Sequence, residues 1–91
     1  MAECPKFPLV WIEWEDSARA DGAWRFIEDW TDAANEIVCC VTVGFLINDG
    51  DKVKAVAQNI GDADTSAVQA SGVIRIPLRS VTRMKVLSSP S

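Results

Sequence analysis

Hydrophobic and polar positions alternate strictly near the start of the chain. Val10, Ile12 and Trp14 fall on one side of an extended segment over residues 9–15, and Trp11, Glu13 and Glu15 on the other. A period of two with one apolar side predicts a half-buried β-strand. Trp14, in line with Val10 and Ile12, is expected in the core. Trp11, framed by Glu13 and Glu15, is expected at the surface or in an interface.

The period then lengthens. After Gly22, the residues Trp24, Ile27 and Trp30 recur at helical spacing, with Glu28, Asp29 and Asp32 outward. This predicts a short helix over about residues 23–34, with Asp21 as a possible cap. Its apolar side carries Trp24, Phe26, Ile27 and Trp30 and is expected to pack over one end of a sheet.

The segment EIVCCVTVGFLIND, rich in β-branched residues, reads as the strongest strand, with Val41, Val43, Phe45 and Ile47 on one face. Gly44 inside it predicts a bulge or tight bend. NDGD at 48–51 reads as a hairpin turn with Asp49 and Gly50 at positive φ, and KVKAVAQNI as the returning strand. A polar loop is expected over 61–71. GVIRIP and TRMKVL then read as two strands, with Ile74 and Ile76 facing opposite to Arg75. Pro77 must end its strand or sit on an edge, and RSV is long enough for one 3₁₀ turn. The expected fold is mostly β, a small five-stranded SH3-like or Sm-like barrel with one short helical insertion. An open sheet packed on one helix is the rival. Residues 1–8 are expected to be a flexible lead-in, 9–87 one barrel domain and 88–91 a flexible tail.

Composition narrows the functional classes. The 91 residues contain no histidine and no tyrosine, so the commonest general base and metal ligand are missing. Glu13 and Glu15 lie about 7 Å apart on one strand face, too little alone for a metal or acid–base pair. No catalytic set, metal site or cofactor is expected, and the chain reads as non-enzymatic. Cys39 and Cys40 are adjacent and point to opposite faces, and no CxxC spacing exists. They read as two small, partly buried hydrophobes in a reducing compartment, with Cys4 in the flexible N-terminus. No apolar run approaches a membrane span, and no signal-peptide pattern opens the chain. A cytoplasmic protein with no membrane partner is expected.

Charge is uneven. Residues 1–36 hold nine acids and three bases (−6), and residues 37–91 four acids and six bases (+2). From Gly72 onward there are four bases, Arg75, Arg79, Arg83 and Lys85, and no acid. Arginine forks match phosphate geometry, so these four are candidates for an anion, nucleotide or single-stranded RNA site. The alternatives are solvated edge-strand charges or pairing with the surplus acids. Tryptophan favours interfaces and base stacking, so Trp11, Glu13 and Glu15 are candidates for a protein interface, most simply with another copy offering its Arg75–Lys85 segment. A small core with exposed aromatics favours a homo-oligomer.

Two resemblances add to this reading. W-x-E-W-E-D-S at 11–17, G-x-W at 22–24, T-V-G-F-L at 42–46 and I-P-x-x-x-V at 76–81 together resemble a family of small uncharacterised bacteriophage and prophage proteins. That resemblance implies an accessory protein of a phage or mobile element in a bacterial host. An adaptor whose Trp11 face docks a host or virion protein is the rival to nucleotide or RNA binding. VGFLINDGDKVKAVAQN and VIRIPLRSVTRMKVL are similar in layout to Sm-like proteins, which form rings and bind RNA or nucleotides at pore-facing loops. By that resemblance Asn59 joins the candidate ligand residues near the third-strand loop, and Arg79 lies near the last loop.

Overall fold

A computed structural model describes residues 6–17, 22, 24–33 and 36–90, with the side chains of 31–33 left aside. The expectations for residues 1–5, Cys4, the Asp21 cap and Ser91 fall outside the described residues. The chain is mostly β: five antiparallel strands in one sheet, with one short helix. The strands are β1 (Leu9–Ser17), β2 (Ile37–Asp49), β3 (Val53–Gly61), β4 (Gln69–Pro77) and β5 (Val81–Ser88), in the order β4-β3-β2-β1-β5. The helix α1 spans Ile27–Ala33, and a 3₁₀ turn at Leu78–Ser80 links β4 to β5.

The alternation seen in the sequence sets the faces. Val10 and Ile12 of β1, Val56 of β3 and Ile76 of β4 are fully buried, with Leu46 of β2 beside them. Trp14, Ile74, Val81 and Met84 pack against this cluster from their half-buried positions. Pro77 closes β4 opposite Val53, where its missing N–H costs no ladder bond within the strand.

β2 is divided between two partners. Its first part pairs with β1, from Ser17↔Ile37 to Leu9↔Phe45. Its last part pairs with β3, from Phe45↔Ala57 to Asp49↔Lys54, with a register shift between Leu46 and Asn48. Gly44 stands where the two parts meet. A Cβ there would lie 2.6 Å from the Ala57 carbonyl oxygen and 2.7 Å from Val56 Cγ1. The expected bend is present, and the close approach of β3 is what demands glycine.

Three expectations are corrected. Asp49 and Gly50 do not take positive φ; among the described residues only Asp62 and Gly72 do. The connection is longer than a two-residue hairpin, and Asn48 Nδ2 and the Gly50 N–H both donate to the Val53 carbonyl (3.1 Å each). β4 begins at Gln69, earlier than the expected loop end, because Gln69, Ala70 and Ser71 continue the ladder with β3. Finally, the helix does not cover the sheet. Trp24 is fully exposed, and Phe26 and Ile27 are each 81% exposed. The helix follows the end of a ribbon where, among the described residues, only β1 and β2 pair. Trp30 is half-buried, with the Arg25 guanidinium 5.4 Å from its ring centre.

The radius of gyration is 17.4 Å, against about 12 Å for a compact domain of this length. The β1–β2 ribbon runs past the end of the core to Ser17 and Ile37. No helix among the described residues is long and apolar enough to cross a membrane.

Candidate functional site

The outer face of β1 carries the first candidate group. Trp11 lies opposite Lys85 of β5, and Glu13 opposite Arg83. Lys85 Nζ sits 5.2 Å from the centre of the Trp11 ring. Trp11 Nε1 donates to Glu13 Oε2 (3.1 Å), and Arg83 Nη1 reaches the same oxygen at 3.6 Å. Thr82 Oγ1 donates to the Glu13 carbonyl (3.1 Å), tying β5 to β1 beside them. Within the chain, the cations that meet Trp11 and Glu13 come from its own β5. The Arg83–Glu13 pair is largely open to water and the Trp11–Glu13 bond only part-buried, so the ladder orders the face more than it stabilises the fold. Glu15 continues this face beyond β5, opposite Cys39, and is exposed.

The basic residues of the second half do not converge. Arg83 and Lys85 belong to the ladder just described. Arg75 projects from β4 beside Ala55, on the face opposite Ile74 and Ile76. Arg79 lies in the 3₁₀ turn, at a shallow groove lined by Asp51, Lys52, Val53, Pro77 and Leu78. The Leu78 N–H donates to the Lys52 carbonyl (2.8 Å) and fixes the two walls of that groove. Asn59 pairs with Ser71, four residues along β3 from Ala55, or about 13 Å of strand. Arg75 and Arg79 have no ion-pair partner among the described residues.

The inner face places Trp14 as expected. It packs on the core, and its Nε1 donates to Thr42 Oγ1 (2.9 Å) on the neighbouring strand. Lys54 and Asp49 form an ion pair at the foot of the β2–β3 hairpin. Among the described residues no three acids or thiols gather closely enough to hold a metal ion.

A further candidate surface is apolar. From Trp24 to Val43 the chain exposes Trp24, Phe26, Ile27, Ile37, Val38, Val41 and Val43. The signal in the sequence is the run Ile37–Ile47, which contains no charged residue and no proline. Sheet edges are usually guarded by charge or proline; along Ile37–Val43, where no described strand lies on the second side of β2, neither is present.

Comparison with protein-family profiles, with curated proteins and with solved structures finds no match to this chain.

Proposed function

We propose that the protein is a non-enzymatic module that binds another polypeptide through the apolar stretch between Trp24 and Val43. Its scaffold reads as a small SH3-like or Sm-like barrel. A bent β2 shared between two halves of the sheet, and a 3₁₀ step before the last strand, support that reading. The resemblance to small phage and prophage proteins fits an accessory protein whose work is contact rather than chemistry.

One observation carries the reading: seven large apolar side chains of that stretch are exposed, while the largest fully buried side chains among the described residues are only Val10, Ile12, Val56 and Ile76. Ile37, Val41 and Val43 share one face of β2, and a contiguous exposed apolar face marks a protein contact. The Trp11 face takes a smaller part than its sequence suggests, because Lys85 lies over the ring. Native mass spectrometry of the purified protein tests the proposal. A mass explained by a second polypeptide, of this chain or another, supports it. A monomer carrying only a nucleotide-sized adduct overturns it.

A second reading has one observation behind it. Arg79 and Lys52 share the walls of one groove, and neither is matched to an acid among the described residues. A nucleotide or RNA phosphate could rest between them.

A further inference from the structure

The backbone of β2 shows which groups are open. The Leu46 N–H donates to the Pro8 carbonyl (2.9 Å). In the β1–β2 register the residue numbers of each pair sum to 54, so Pro8 and Leu46 form a hydrogen-bonded pair. Such pairs alternate along an antiparallel ladder. Cys40, Thr42 and Gly44 therefore turn their N–H and C=O groups toward β1. Ile37, Cys39, Val41 and Val43 turn theirs away. Phe45, next in that series, faces Ala57 of β3. From Ile37 to Val43 no described strand lies on the outward side of β2.

This is an open edge of four residues, each offering one donor and one acceptor. Its side chains are apolar on the outer face, with Ile37 60% and Val41 53% exposed. Behind Val41 and Val43 the sheet continues through β1 to β5, but from Ile37 to Cys39 it is only the β1–β2 ribbon, and such ribbons are marginal in water without a third strand.

We propose that this edge pairs with the same edge of a second copy, antiparallel and about a two-fold axis at Cys40. The interface deepens the reading of the Trp24–Val43 stretch as a polypeptide-binding surface, and rests on it. Only one register satisfies all four residues. Ile37 must face Val43 of the second copy, and Cys39 must face Val41. Shifting by two residues leaves at least one of the four without a partner. In this register Val38 faces Thr42, and Cys40 faces Cys40. Every opposed pair is uncharged, so a strand of this sequence meets itself without like-charge repulsion. The acids Glu15 and Asp16 lie one strand back on β1. They would stand three strand spacings, about 14 Å, from their counterparts, beyond a Debye length at physiological salt. The two-fold is isologous and closes at a dimer.

The geometry makes a sharp distinction between the two neighbouring thiols. Cys40 would form a non-hydrogen-bonded pair with its own copy, with Cα atoms about 4.5 Å apart, inside the range a disulfide spans. Cys39 would stand diagonal to its copy, about 7–8 Å away, beyond that range. In a Cys4→Ser background, diamide accepts two electrons and two protons from a thiol pair and leaves a disulfide. A covalent dimer is expected that survives Cys39→Ser and vanishes in Cys40→Ser. In reducing buffer the parent protein should sediment as a dimer at tens of micromolar. Val41→Pro should sediment as a monomer with an unchanged far-ultraviolet spectrum, because the N–H it removes points away from β1. If that variant does not fold, Val41→Lys places two like charges near the axis and should weaken the dimer at least tenfold, most at low salt. A reducing-buffer monomer at these concentrations, or cross-linking through Cys39 instead of Cys40, overturns the proposal. A monomer bound to a foreign polypeptide in native mass spectrometry would overturn the dimer alone and leave the polypeptide-binding reading standing.

Discussion

Lys85 extends over Trp11 from the neighbouring strand, 5.2 Å from the ring centre, while the indole N–H of Trp11 turns to Glu13. The ring is thus held on its face by a cation and at its edge by a carboxylate. Both partners are fixed by strand register, Trp11↔Lys85 and Glu13↔Arg83. Lys85→Ala should uncover the ring: its acrylamide quenching should rise in a protein where Trp11 is the reporting tryptophan. The loss in stability should be about 0.5–1 kcal/mol, the range of an exposed cation–π contact. Unchanged quenching would show that Lys85 does not shield the indole in solution.

Trp14 makes the opposite use of the same residue type. Its ring packs on the Val10–Ile12 cluster and its N–H meets Thr42 Oγ1. Thr42→Val keeps the shape and removes the acceptor. Leaving the indole donor without a partner should cost about 1–2 kcal/mol in urea denaturation. The double variant with Trp14→Phe should lose less than the sum of the two single changes, since each removes the same bond. Strict additivity would show that the hydrogen bond contributes nothing.

Gly44 is expected to be the least replaceable glycine of the fold. Alanine there would place a methyl group against the Ala57 carbonyl and Val56, at distances that real Cβ atoms do not adopt. The strain acts where β2 passes from β1 to β3, so it should loosen the whole sheet. Gly44→Ala should cost about 1–3 kcal/mol, the range for inserting a methyl into packed structure. Gly61→Ala is the control, because nothing lies within 4 Å of its added Cβ. Equal stability of the two variants would show that β3 does not press on Gly44.

Much of this arrangement is legible in the sequence because it is local. Alternation around Ile12 and around Val43 marks strands and faces, Gly44 marks the bend, and the break at Pro77 marks the step before the last strand. Trp14 turns inward because Val10 and Ile12 do. What escapes a sequence reading depends on strand order. β5 lies beside β1, and only that neighbour brings Lys85 and Arg83 to Trp11 and Glu13. The same order spreads Arg75, Arg79 and Asn59 over separate places, although they look like one basic segment on paper. The amphipathic turn from Trp24 to Trp30 has a helix's period, but periodicity cannot supply a surface for it to cover. The open edge of β2 follows from where β3 leaves it, a nonlocal fact announced in the sequence only by eleven residues without charge.

Arg79 gives the basic half of the chain a quantitative test. Four cations acting together on single-stranded RNA would give a log–log salt slope of about −2.8, at roughly −0.7 per phosphate neutralised. Arg83 already faces Glu13, and Lys85 lies over Trp11. Arg75 stands apart on β4. The groove offers Arg79 and Lys52, so oligouridine binding should be weak, with a slope no steeper than about −1.4. Arg79→Glu should reduce that slope by about one phosphate's share and lower affinity at low salt, while Arg83→Ala should leave both unchanged. A steep slope lost in Arg83→Ala would mean that the Trp11–Glu13 ladder opens to release its cations, and that RNA, not a polypeptide, is what the face receives.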